Sequence, residues 1–446
     1  MTTEPLLEAA IAANRFGLGA RPGDLGRIAA DPRGWLRAQC DGAYELPAEL
    51  HRLPDSRELY GMRGRPTASL IKLYEEHGAQ WALAPVNSDK PFIERMVLFW
   101  SNHFAVSGQA TGVERYAVAF EREAIRPHVL GKFADMLVAA TGHPAMQIYL
   151  DNRFSNGPHS FRGGNLNENH AREILELHTL GVDGGYTPRD LREFALTLTG
   201  WGIDARDAAA DTMAFNPMRP PPPPGDSAAF AFDPDRHEPG PKWIFGKVIK
   251  GEGVREAEKV LHMLVEHPAT ARFIATKLAR HFVADDPPQA SIDRIADTFS
   301  RTGGDLREVT LALIDDPLAW GNHGNKLKSP CELVVSAARA TGFHGGSGPA
   351  LFQAMEELGQ APFFAGAPTG YPDTAESWLG GQAVLERVDF CADAGERAAV
   401  ALSPPDFASE VLGPALRDAT AKRVARAPGT AHGIGLVLAS PEFQRR

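Results

Sequence analysis

The chain has 446 residues, of which 43% are hydrophobic and 23% charged, and a formal net charge of −10. This is ordinary globular composition with length for a large core, which excludes disordered and fibrous chains. The acidic balance, with no run of Lys or Arg longer than three, excludes the footprint of a nucleic-acid binder and argues against anionic membrane surfaces.

Three distant cysteines, Cys40, Cys331 and Cys391, lie outside any C-x-x-C pattern and read as reduced, partly buried thiols. Residues 1–19 carry Glu4 and Glu8 and lack a basic region followed by an apolar run. No segment reaches about 18 uninterrupted apolar residues. A soluble cytoplasmic protein without a transmembrane segment is expected.

In chain order, residues 6–16 have apolar positions at helical spacing and run into Gly17-Leu18-Gly19, where a left-handed cap is expected at the glycine. Pro22-Gly23-Asp24 and Asp31-Pro32 start two more short helices. A helix begins near Ala68. The next, from Pro91 to Phe104, leaves almost no wholly polar face, so it belongs inside other helices, at the centre of the fold.

Residues 113–126, 133–140, 167–180 and 188–198 read as further helices, the last two closed by Gly181 and Gly200. Periodicity fails over 202–241, and Pro220 to Pro224 must be polyproline II, so this stretch reads as a Pro-rich surface insertion. Helices then alternate with Gly/Pro breaks over 254–264, 269–283, 292–299, 306–314, 327–340 and 351–358. No run of period-two strands and no fixed repeat is found. The expected fold class is mainly α: one large multi-helical unit over 1–446, with long irregular loops and little or no β-sheet.

Arg15-Phe16-Gly17-Leu18-Gly19-Ala20, Glu94-Arg95-Met96 leading into Phe99-Trp100-Ser101-Asn102-His103-Phe104, and Asn167-Glu168-Asn169-His170-Ala171-Arg172-Glu173 leading into His178-Thr179-Leu180-Gly181 form an ordered set. With Leu198-Thr199-Gly200-Trp201, His237, Gly240, Lys242, Lys328-Ser329-Pro330 and the stretch from Pro368 to Trp378, this set resembles a bacterial family numbered 1800 among domains of unknown function. The resemblance covers nearly the whole chain. It implies a single, mainly helical unit and carries no settled activity or cofactor; relatives often begin with an export signal, which is not seen here.

His103 shares a helical stripe with Phe92, Met96 and Phe99, so its ring faces the interior as a hydrogen-bonded core residue or as a ligand. Glu94, Arg95 and Asn102 lie on the same helix and need partners, because an unpaired buried charge is costly. In the following acidic helix Asn169, Glu173 and Glu176 share a face, with Arg172 nearby. This is either a solvated acidic face or an acid/base pair. The family motif groups Asn169, Arg172, Glu173 and Glu176, and Glu94, Arg95, Asn102, Asn169 and Arg172 are assigned to a structural polar network.

His237 lies in a loop after the proline run. Glu173, Glu176 and His237 are the candidate catalytic residues. His103, Glu173 and His237 are the candidate ligands of a divalent metal ion, provided the fold brings them together. No G-x-S-x-G elbow, P-loop, H-E-x-x-H or dinucleotide fingerprint occurs. Tyr149-Leu150-Asp151 and Asn167-Glu168-Asn169 faintly resemble animal-type haem peroxidases, but the expected catalytic arginine is Leu166. The sequence therefore points to an enzyme-like protein with a polar site between the buried helix, the acidic helix and the His237 loop. The alternative is a non-catalytic helical scaffold with a protein partner.

Overall fold

Pro91 occupies the first turn of a helix spanning Pro91–His103, where its missing N–H costs nothing, and most polar and apolar residues of that helix are buried. The computed structural model describes residues 3–62, 67–203, 229–321, 324, 326–343 and 348–446. Around the central helix lie two hydrophobic cores. Phe92, Met96 and Trp100 face the first, which also takes the helices Phe133–Gly142, Arg255–Val265, Pro268–Phe282, Gln289–Thr302 and Leu306–Ile314. Leu98 packs against the second, built from Thr67–Asn87, Pro330–Thr341, Gly348–Glu357, Pro404–Leu412 and Thr430–Leu438. The central helix thus runs along a seam.

The fold is mainly α, with only two two-stranded sheets among the described residues. Trp201–Ile203 pairs antiparallel with Phe230–Phe232, and Lys242–Ile244 pairs with Lys247–Ile249. Three-residue strands are too short to show alternation, which is why the sequence reading finds none. The first sheet joins the two ends of the Pro-rich stretch. Residues 204–228, including the proline run, lie outside the described residues.

Other differences concern helix ends. The first helix, Thr3–Ile11, continues as a π-turn over Ala12–Phe16, and Gly17 is extended rather than left-handed. Gly19 takes the positive φ instead, and a Cβ there would stand 2.9 Å from Ser336 Oγ. The acidic helix is α only over Asn169–Glu173 and becomes a π-turn over Ile174–His178. Beyond residue 358, the helices Gly381–Glu396, Pro404–Leu412, Asp418–Val424, Thr430–Leu438 and Pro441–Gln444 are not anticipated by the sequence reading. The three cysteines are free and buried. Among the described residues no helix is long and apolar enough to cross a membrane.

Candidate functional site

A cavity of about 370 Å³ opens on the seam. That is the scale of a small-molecule site. Trp81, Leu98, Phe99, Val106 and Phe363 form its apolar wall, and Asn102, His103, Lys277, His281, Glu332 and Asp373 its polar side.

The central helix supplies Arg95, which is wholly buried. Its Nε donates to Gly17 O at 2.6 Å, and its guanidinium pairs with Glu332. Glu94 accepts both Nη1 and Nη2 of Arg126 at 3.0 Å, and Arg126 Nε donates to Glu121 at 2.8 Å. Burying such groups is tolerable because each charge meets its opposite in good geometry. Glu121 also accepts from Trp81 Nε1 and Ser101 Oγ. Glu94 and Arg95 thus each lie in a buried ion pair, with Arg126 and Glu332 respectively.

Asn102 clamps a loop. Its Nδ2 donates to Tyr371 O at 2.9 Å, and its Oδ1 accepts from Tyr371 N at 2.7 Å. Gly370 has φ of +76°, and a Cβ there would stand 2.4 Å from Asn102 O. Only glycine fits this close approach. The clamp fixes Asp373 at the cavity.

The Pro268–Phe282 helix aims Phe273, Lys277 and His281, four residues apart, along one stripe. His281 Nδ1 lies 2.7 Å from Asp373 Oδ2, while Nε2 has no hydrogen-bond partner among the described residues and stands 3.8 Å from Glu332 Oε1. Burial pulls the imidazole pKa down, and Asp373 opposes this only partly. This lowering favours the neutral ring, in which Nδ1–H is donated to Asp373 and Nε2 carries a lone pair.

Lys277 Nζ donates to His103 Nδ1 at 3.0 Å, and His103 Nε2 donates to His178 O at 3.1 Å. Burial, and then Lys277, push His103 well below the ordinary imidazole range, so it is a neutral acceptor. Burial also lowers the Lys277 ammonium to about 8, with Asp373 opposing and Arg280 adding to the effect.

Beneath these groups lies a charge network. Arg446 donates from Nε to Glu332 Oε2 at 3.1 Å and from Nη1 to His281 O at 2.6 Å. Lys326 Nζ contacts Asp285 Oδ1 at 2.6 Å and Asp373 Oδ1 at 3.2 Å. Burial alone would raise the Glu332 carboxyl, but Arg446 and Arg95 hold it at about 2. Burial likewise opposes ionisation of Asp373, and His281, Lys326 and Arg446 overcome it.

The residues singled out from sequence divide. His103 and Asn102 line the cavity, and Glu94 and Arg95 lie in the buried network. His237 is elsewhere: its Nδ1 donates to Thr199 O at 2.7 Å and its Nε2 lies 3.0 Å from Glu256 Oε1, while Lys242 Nζ reaches Glu256 Oε2 at 2.6 Å. Glu256 Oε1 also accepts from the N–H groups of Glu252 and Gly253. This is a clasp between motif segments.

Glu173 and Glu176 do not line the cavity. Burial and then Glu176 raise the Glu173 pKa, while Tyr186 Oη donates to Glu176 at 2.6 Å. Arg172 forms a half-exposed ladder with Glu168 and Glu176, and Asn169 is exposed, so neither joins the buried network.

The expected metal set is not assembled. His103 spends both ring nitrogens on Lys277 and His178, and His237 faces Glu256. Among the described residues no group of three His, Cys, Asp or Glu side chains is arranged to hold a metal ion. Lys277, His281, Glu332, Asp373 and Arg446 were missed from sequence, although Asp373 lies within the motif stretch from Pro368 to Trp378.

The fold and cavity define a multi-helical protein with a charged, half-apolar pocket between two cores. A family model described as a protein of unknown function, DUF1800, matches residues 11–445, and the chain belongs to that family. No curated protein and no solved structure matches.

Proposed function

We propose that the seam cavity is the active site of an enzyme that moves protons on a small, partly apolar molecule. His281 is the base, Asp373 its positioning residue, and Lys277 the cation that stabilises negative charge developing on the substrate. The observation that carries this reading is the Asp373–His281 pair, whose remaining ring nitrogen has no hydrogen-bond partner among the described residues, in a ring lining the cavity. A neutral imidazole oriented by a carboxylate is suited to general-base work near neutral pH. The carboxylate fixes the tautomer, and Glu332, held ionised by two arginines, stabilises the imidazolium formed after proton uptake.

The substrate class is supported by the lining. An apolar wall would take a hydrocarbon or aromatic body, and Lys277 would attract a carbonyl or carboxylate oxygen. The net charge of −10 supports a small-molecule substrate over a nucleic acid.

The test is solvent exchange. Acetaldehyde, phenylacetaldehyde, pyruvate and phenylpyruvate are incubated with the protein in heavy water and followed by proton NMR. Loss of signal from carbon-bound protons next to a carbonyl is expected with the wild type, and a fall of about 10²-fold or more in His281→Gln. If the wild type leaves all four unexchanged, the reading fails and the buried charges are those of a structural scaffold.

A further inference from the structure

Four lysines are buried or largely buried in the two cores, and their partners differ. Lys242 meets Glu256, and Lys326 meets Asp285 and Asp373. Lys328 is wholly buried with Asn14 Oδ1 at 3.4 Å and does not line the cavity. Lys277 alone of the four lines the cavity and has no carboxylate within 4 Å among the described residues.

Its partner is instead a nitrogen lone pair. The chain of bonds runs from His178 O to His103 Nε2–H, and from His103 Nδ1 to Lys277 Nζ. The carbonyl fixes the ring tautomer, so Nδ1 can only accept. With the ammonium lowered to about 8, the protonated fraction is the cation of the proton-transfer reading, while the neutral fraction keeps this bond with one of its two hydrogens and leaves its own lone pair unused. A carboxylate in that place would hold the ammonium form.

We infer that Lys277 is a nucleophile that forms an imine with an aldehyde or ketone bound in the seam cavity. The amine lone pair attacks the carbonyl carbon and the C–N bond forms. Both amine hydrogens pass to the carbonyl oxygen, which leaves as water. One carbonyl compound and one neutral lysine amine thus give one imine, with the former carbonyl carbon doubly bonded to Nζ, and one water. No oxidant or reductant is needed. Apolar walls and a lowered ammonium pKa are what activates a lysine for this chemistry. His281, one helical turn further on, is placed to take a proton from the carbon next to the imine.

The inference rests on the reading that the cavity takes a small carbonyl compound, and deepens it. The test is reductive trapping of the whole, folded protein with acetaldehyde, benzaldehyde, pyruvate or phenylpyruvate and sodium borohydride at pH 7.5, with adducts located by peptide mass spectrometry. An ordinary lysine is almost wholly protonated there, so Lys277 should carry about tenfold or more adduct than the exposed Lys72 or Lys259. Lys277→Arg keeps the cation and should lose that adduct, with melting temperature as the check on folding. Equal labelling of Lys277 and the surface lysines, or no Lys277 adduct with any probe, overturns the imine. Exchange in heavy water without an adduct leaves the proton-transfer reading standing alone. An adduct on Lys277 without exchange supports the imine and overturns the base role of His281.

Discussion

Lys328 has no exposed surface, and its ammonium lies 4.1 Å from the centre of the Phe443 ring with no carboxylate in an ion pair with it among the described residues. Burial, and then Arg95, lower its pKa to about 7. The unfolded chain binds that proton up to the ordinary lysine range, so between about pH 7 and 10 it holds more protons than the fold. Stability should therefore rise with pH across that window, and the cost is fully present below pH 7. Lys328→Met should stabilise the fold by about 1–3 kcal/mol at neutral pH and flatten the dependence, read from urea midpoints at pH 7 and 10. Glu332 gives the same slope, stability rising with pH, but in an acidic window and as a gain rather than a cost. Its folded pKa near 2 lies below the ordinary carboxylate value, so its contribution is present above about pH 4.5 and is lost as the pH falls towards 2. Glu332→Gln leaves Arg95 and Arg446 buried without their anion, and a loss of about 3–5 kcal/mol is expected in the same melts at pH 7.

At the scale of elements, the polar groups of the seam come from irregular pieces. The π-turns Ala12–Phe16, Glu121–Ile125 and Ile174–His178 carry Asn14, Glu121 and His178, each of which bonds to a group of the network. Each inserts a residue that turns a polar group inward, and such bulges recur at functional sites. They have no composition signal, so the helices were legible and these interruptions were not. The helix starts at Thr187-Pro188 and Ser329-Pro330 both open with a proline and complete a capping box, although the sequence reading begins the second helix at residue 327, three residues early. His103 and Arg95 were legible as polar residues on an apolar stripe. Lys277 and His281 show the same pattern on a weaker stripe, but the partner that gives His281 meaning, Asp373, is 92 residues away. No local pattern reports that distance. The 368–374 loop offers the element-scale test. Gly370→Ala would drive a Cβ into Asn102 and force an L side chain into positive φ, costing about 1–3 kcal/mol. The clamp that holds Asp373 would open, so solvent exchange should fall more than in a Gly380→Ala control, where an added Cβ meets nothing within 4 Å; equal or smaller loss in Gly370→Ala would mean the loop does not position the base.

For the whole molecule, the question is whether two cores mean two folding units. A chain of this length can hold two or three domains. Yet the groups crossing the seam are charges with almost no exposure: Arg95 reaches Glu332 from the central helix, and Trp81 of the second core donates to Glu121, which also holds Arg126. Separating the cores would expose the cavity wall and strand several buried charges at once, each costing several kcal/mol unless water reached it. Local opening of one core should therefore lie close to global unfolding in free energy. We propose one cooperative unit. Trp100 reports the first core and Trp81 the second, so single-tryptophan variants retaining one or the other should give coincident urea transitions, and Glu94→Gln should shift both midpoints down together. Two separated transitions, with Glu94→Gln moving only the one reported by Trp100, would divide the chain at the seam and make the cavity an interface between two domains.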